Sequence, residues 1–272
     1  MTAGADVVVN RNASRLAAAG GLRRAIVDAA DRGHARIHET YDLDDVTRVA
    51  RAIAARGTRG VVLAGGDGSY MAGLSALARA FAGRGLPPVA FAPGGTVCTV
   101  ARNFGMKGSA RVAAQRIVRA VCDGSARVQP RPTLRVLDDA GGERIGFIFG
   151  AGLVLRFFDA YYAQPRQGLA AAAGIVARVF AGSLTESGSA RGVLAPTRCS
   201  LRLDGDAHPT QQWTLVLASV VRDLGLHMRV PYRAAEEVER FHVVASGLAP
   251  RALAAQLPRA LAGRPLLGEP RV

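Results

Sequence analysis

The sequence predicts an α/β chain of two domains, a parallel-sheet domain followed by a strand-rich one, and three observations predict it. Short apolar runs alternate with amphipathic segments up to about Val128, the rhythm breaks at the proline-bearing "RVQPRPTLRVL", and strand-like segments dominate afterwards. Repeated strand, helix, strand units imply parallel strands joined by crossovers, with helices on both faces of the sheet. The expected domains are therefore residues 1–128 and 129–272.

The elements follow in order. "ADVVVN" (5–10) is an apolar run of strand length, and residues 15–31 read as a helix carrying Leu16, Leu22, Ile26 and Val27, weakened by Gly20 and Gly21. "ARIHETY" (35–41) alternates as a strand, and 44–56 places Val46, Val49, Ala50 and Ile53 on one helical face. "RGVVLAGG" (59–66) is a third strand, followed by a helix with Met71, Leu74, Leu77, Ala78 and Phe81 at helical spacing, and "PPVAFAPGG" (87–95) is a fourth strand. In the second domain the strand-like segments are 133–138, 144–151, 198–204, 213–221 and 240–246. Helical stretches at 153–163 and 168–182 interrupt them, and Leu253, Leu257 and Leu261 mark a last helix.

Composition narrows the function classes. At 272 residues and 49% apolar content the chain has enough material for proper cores. Its formal charge is +14, carried by 34 arginines and the single lysine Lys107, so anionic partners fit it best: lipid headgroups, nucleotides or nucleic acid. No nucleic-acid module accompanies the charge, and nucleic acid is not expected. Cys98, Cys122 and Cys199 are widely spaced without a CxxC pair, which argues against a disulfide scaffold or zinc site and for a reducing cytoplasm. "MTAGADVVVN" lacks the basic start of a signal peptide, and the longest apolar stretches fall short of the ~20 residues of a membrane helix. A cytoplasmic protein is expected, meeting a membrane peripherally at its inner face if at all. A homodimer is compatible with all of this.

Two glycine loops carry the candidate chemistry. In an open parallel sheet, ligands gather at the carboxyl ends of strands. "LAGGDGS" (63–69) stands at such a place, where Gly65, Gly66 and Gly68 let backbone N–H groups approach a phosphate and the helix beginning near Ser69 adds its positive end. Asp67 would repel a bare phosphate, but a magnesium ion bound to the phosphates reconciles the two, because Mg²⁺ prefers carboxylate oxygen and water. The plainer alternative is a tight turn capped by Asp67 or Ser69. A Walker loop is excluded because Lys107 is followed by Gly108, and the first strand lacks GxGxxG. "FAPGGTVCTVARNFGM" (91–106) sets Gly94, Gly95 and Thr96 at the next strand-to-helix junction, where Thr96 either caps its helix or offers its hydroxyl to a phosphate.

Taken together, "VVVN" ending at Asn10, "LAGGDGS" at 63–69 and "PGGTVCTVARNFG" at 93–105 make the chain resemble the diacylglycerol kinase catalytic family, which includes bacterial lipid kinases, sphingosine kinases and ceramide kinases. The resemblance implies an NAD-kinase-like nucleotide domain, then a β-rich sandwich domain lacking its last strands, with lipid entering between them. It implies ATP and Mg²⁺ as cofactors, and γ-phosphoryl transfer to a hydroxyl of a lipid such as diacylglycerol or a sphingoid base at a membrane surface. By position, Gly65, Gly66, Asp67, Gly68 and Ser69 would hold the phosphates, with Asp67 as catalytic and metal-organising acid. Gly95 and Thr96 would join from the second loop, and Asn10 and Thr40 would lie on the nucleotide side.

Departures from the family pattern raise an alternative, a catalytically impaired pseudokinase that binds nucleotide or lipid. Ser69 replaces threonine, Cys98 stands where the family generally has asparagine, and Asn10 is followed by Arg11 rather than proline. The family's Asp-Gly-Glu type motif, whose acid takes the proton from the lipid, is not found by Val272, and Asp204-Gly205-Asp206 reads instead as a hairpin turn. Phe157, Phe158, Tyr161 and Tyr162 form an aromatic helix face that is core or lipid entrance, and Glu236, Glu237 and Glu239 read as a solvated acidic turn rather than a cation site.

Overall fold

A computed structural model describes residues 4–17, 20–165, 168–185 and 192–267. It divides into two compact units, 1–146 and 147–272.

The first unit is built on four parallel strands, β1 (Asp6–Asn10), β2 (Arg36–Thr40), β3 (Val61–Gly65) and β4 (Val89–Pro93), in the order β2-β1-β3-β4. Register pairs Asn10 with Thr40 and Gly65 with Pro93, so the carboxyl ends of all four strands align along one edge. β3 is buried throughout, as a strand covered on both faces must be. On one face Val7, Val9, Val62 and Ala64 pack with Ile26, Ala29 and Ala30 of α2 (Gly21–Arg32) and Ala114 and Val118 of α6 (Ala110–Asp123). α3 (Leu43–Arg56) and α4 (Asp67–Ala80) also pack against each other, burying Val49, Ile53, Leu74 and Leu77. Between β1 and α2 lies α1 (Ser14–Ala17), and between β4 and α6 lies α5 (Thr99–Asn103).

At the opposite edge Asp6 is fully buried. Its Oδ1 lies 2.8 Å from His38 Nε2 and 2.6 Å from Arg56 Nη2. Burial by itself pushes the Asp6 carboxyl up, but its bonds to His38 and Thr58 and the charge of Arg56 outweigh that and hold it below the usual carboxylate range.

The unit closes with a hairpin of β5 (Leu134–Leu137) and β6 (Glu143–Gly146) laid on α4: Ile145 donates its N–H to Ser75 Oγ at 2.8 Å. This hairpin is what separates the compact-unit limit at Gly146 from the change of rhythm at Val128.

The second unit is strand-rich and antiparallel. Its main sheet, in the order β13-β12-β7, joins β7 (Ile148–Gly152), β12 (Leu215–Ser219) and β13 (His242–Ser246). Two short ladders accompany it: β8 (Thr197–Arg198) with β11 (Gln212–Trp213), and β9 (Arg202–Leu203) with β10 (Asp206–Ala207). Asp204 and Gly205, both at positive φ (51° and 95°), form the tight turn between the last pair, as the Asp-Gly sequence predicts. Helices α7 (Leu153–Tyr162), α8 (Leu169–Thr185), α9 (Pro250–Ala254) and α10 (Leu257–Ala262) complete the unit. The α7 aromatics divide: Phe157 and Tyr161 pack with Ala172 and Ile175 of α8, while Leu155, Phe158 and Tyr162 are exposed. Glu236 pairs with Arg222 and Arg233, and Glu237 with Arg240, so arginines face two of the three acids of this turn.

Candidate functional site

Both glycine loops lie on the carboxyl edge of the parallel sheet and abut. Gly94 and Gly95 donate their N–H groups to Gly65 O at 2.7 and 3.0 Å, which clamps the loop after β4 onto the loop after β3. A Cβ added to Gly95 would lie 2.5 Å from Gly66 Cα, a separation that backbone cannot accommodate. Absence of side chains at Gly66 and Gly95 is therefore what lets the loops touch.

Asp67 explains the clamp from the other direction. Its Oδ2 accepts the N–H of Thr99 and its Oδ1 that of Val100, each at 2.9 Å. The acid is the first residue of α4, yet it caps α5, a helix that starts 32 residues later. The sequence pattern points only to a cap for a local turn, and this long-range role is invisible in it. Burial pushes the Asp67 carboxyl up, opposed by the N–H bonds from Val100 and Thr99, by a bond from the Thr99 side chain and by the charge of Arg102, and burial prevails.

Ser69 works on the first loop. Its Oγ accepts from Asn10 Nδ2 at 2.8 Å and from the Gly66 N–H at 3.3 Å, while Asn10 Oδ1 accepts the Asn12 N–H at 2.9 Å. The first-turn N–H groups of α4, at Asp67, Gly68 and Ser69, have no intrahelical carbonyl to bond, and this helix end supplies partial positive charge. Gly68 is exposed and Gly66, Asp67 and Ser69 are half-buried, so the helix end is open to a ligand.

Thr96 stands at the rim of the second loop. Its Oγ1 lies 2.9 Å from Ser14 Oγ, and α5 begins after Cys98, so Thr96 does not cap that helix. Thr40 shares the edge but is 2% exposed, with its hydroxyl turned toward Val9 O at 3.4 Å; it holds the strand edge and presents no hydroxyl outward. Cys98 is buried in the left-handed region at φ 52°, its Sγ 3.3 Å from Gly95 O. Burial and the charge of Asp67 push its thiol up.

Sequence reasoning placed Leu16 in a single helix at 15–31 and missed that α1 stands apart and is tied to the second loop. The N–H of Arg15 donates to Gly94 O at 3.0 Å, and its Nη2 donates to Thr96 O at 3.0 Å, so residues just after β1 are tied to a loop some 80 positions on. Beside it Arg11 Nη1 pairs with Glu39 Oε2 at 2.7 Å, and Glu39 also holds Arg23. The run Arg11, Ser14, Arg15 behind Asn10 was the available signal. Among the described residues no group of three or more acidic, histidine or cysteine side chains is placed to hold a metal by protein ligands alone.

Comparison with known proteins is consistent with this geometry. Residues 5–125 match the family model of the diacylglycerol kinase catalytic domain. Two crystal structures from Bacillus anthracis str. Sterne share the fold. One, provisionally described as a diacylglycerol kinase, is 17% identical with a TM-score of 0.64 over 94% of this chain and 77% of its own. Another, described as a diacylglycerol kinase, is 15% identical with a TM-score of 0.59 over 98% of this chain and 79% of its own. No curated protein sequence matches the chain significantly.

Proposed function

Residues 5–125 belong to the diacylglycerol kinase catalytic domain family, and on that premise we propose that the chain transfers the γ-phosphoryl group of Mg·ATP to a hydroxyl of a lipid such as diacylglycerol or a sphingoid base. One observation carries the reading: two glycine loops meet at the carboxyl edge of a parallel sheet, beside the open amino terminus of α4. The N–H groups of Asp67, Gly68 and Ser69 bind phosphate oxygens, Thr96 Oγ1 lends a hydroxyl, and Asn10 orients Ser69. Phosphoryl transfer asks mainly for positioning and charge neutralisation, which backbone donors provide without rearranging.

The acid fits a magnesium ion through water. The Asp67 carboxylate accepts the N–H groups of Thr99 and Val100 and a bond from the Thr99 side chain, and with about four acceptor directions on its two oxygens it retains room for a metal-bound water. Mg²⁺ usually retains several waters and needs only one or two carboxylates beside the phosphates. Bound there, the ion would neutralise phosphate charge.

A lipid acceptor requires contact with a bilayer, and the charge pattern of the first unit favours an anionic one. No acidic residue occurs between Gly68 and Cys122, and α6 presents Arg111, Arg116 and Arg119 to solvent. We place the protein in the cytoplasm, peripherally at the inner membrane face. Among the described residues no helix is long and apolar enough to cross a membrane.

The test is incubation with radiolabelled ATP, Mg²⁺ and mixed micelles of diacylglycerol, sphingosine or ceramide. Label in one lipid is expected, and label in none refutes the kinase. Cys98 favours the second reading, a pseudokinase, since a thiol replaces the amide of the family pattern inside the second loop. ATP binding without transfer is its signature.

A further inference from the structure

The loops lack a cation. A helix amino terminus carries only about half a charge, and a nucleotide triphosphate carries several. The single lysine, Lys107, lies between α5 and α6. Arg11 and Arg23 are committed to Glu39, and Arg102 sets its charge against Asp67.

We propose that Arg15 neutralises the polyphosphate at this edge and that α1 is part of the phosphate site, an inference that rests on the nucleotide reading above. Three observations converge. The backbone of α1 is fixed to the second loop, with the Arg15 N–H on Gly94 O at 3.0 Å and Ser14 Oγ 2.9 Å from Thr96 Oγ1. Leu16, 1% exposed, anchors the turn from below: a Cβ at Gly94 would come within 2.5 Å of Leu16 Cδ1, so α1 packs directly on the loop. Finally, the exposed Arg15 guanidinium spends one donor on Thr96 O at 3.0 Å and has no carboxylate partner among the described residues. A guanidinium has five N–H donors in a fixed fork that matches phosphate, so four remain for a ligand beside the glycine loops. The bond to Thr96 O aims the fork without discharging it.

Arg15 thereby sets the preference for di- and triphosphates over a monophosphate. Calorimetry of ATP, ADP and AMP with Mg²⁺ on the full chain tests it, comparing wild type, Arg15→Ala, Arg15→Gln and, as a control on the outer face of α2, Arg24→Ala. Arg15→Ala is expected to weaken ATP and ADP by about 10- to 100-fold, the scale of losing charge-assisted hydrogen bonds, while AMP changes less than about twofold. Arg15→Gln keeps a donor for the Thr96 carbonyl and removes the charge, so it must lose ATP to a similar degree with an unchanged melting temperature. ATP binding at wild-type strength in both variants overturns the inference and leaves the nucleotide reading intact, as does equal loss of ATP and AMP. Wild type that binds no nucleotide overturns the reading beneath it.

Discussion

Replacing Asp67 by asparagine probes the joint between the two loops. The carboxylate accepts two backbone N–H groups at 2.9 Å, whereas an amide accepts one through Oδ1 and turns its NH₂ against the other. Losing a hydrogen bond to a charged group costs about 1.5–3 kcal/mol, and relief of the buried charge returns part of it. A net loss of about 1–2 kcal/mol is expected, or roughly 3–6 °C in melting temperature. The pH dependence is the sharper readout. Because the folded carboxyl is pushed above its unfolded value of 3.8, the linked stabilisation is fully present below that value and is lost as pH rises through the folded pKa. Urea unfolding of both proteins from neutral pH down to about pH 4 should show the wild-type advantage widening as acid is added. If the advantage instead narrows, the two N–H donors dominate over burial and the carboxylate is held ionised, which refutes a balance won by burial.

Further outcomes follow from the same geometry. Gly95→Ala drives a Cβ to 2.5 Å from Gly66 Cα and should cost about 1–3 kcal/mol in urea unfolding, whereas Gly68→Ala meets nothing within 4 Å and should unfold like wild type. Asp6→Asn leaves Arg56 and His38 without their carboxylate and should cost about 2–3 kcal/mol at neutral pH by thermal melt. Since the folded Asp6 carboxyl lies below its ordinary 3.8, its contribution is present above that value and is lost as pH falls through the folded pKa, so the difference between the two proteins should shrink in strong acid. Cys98→Asn puts a residue suited to the left-handed region at φ 52° and an amide beside Gly95 O, and should raise stability by about 1 kcal/mol in the same assay.

The parallel strands were legible because strands buried on both faces must be apolar: the strands expected at 5–10 and 59–66 fall within two residues of those observed, Asp6–Asn10 and Val61–Gly65. The expected helix at 15–31 instead forms as α1 and α2, with α2 starting at Gly21, where glycine had already weakened the pattern. α6 went unassigned although Ser109 caps it and Ala113, Ala114 and Val118 form its buried side. The single strand read at 144–151 is two, β6 closing the first unit and β7 opening the second, with buried Phe147 between them. The glycines and Asp67 announced a site through their composition. Their connections did not: the cap on α5, the Ser14–Thr96 contact and the Arg15 latch join residues 32 to 82 positions apart, and no local pattern encodes a partner at that distance.

Amide hydrogen exchange of the full chain with and without Mg·ATP tests the central claim most directly, because it reads the two loops separately. Peptides covering 63–70 and 93–103 should slow together on adding nucleotide, with α3 unchanged. Protection of neither loop, or of one without the other, would contradict a phosphate site built from both.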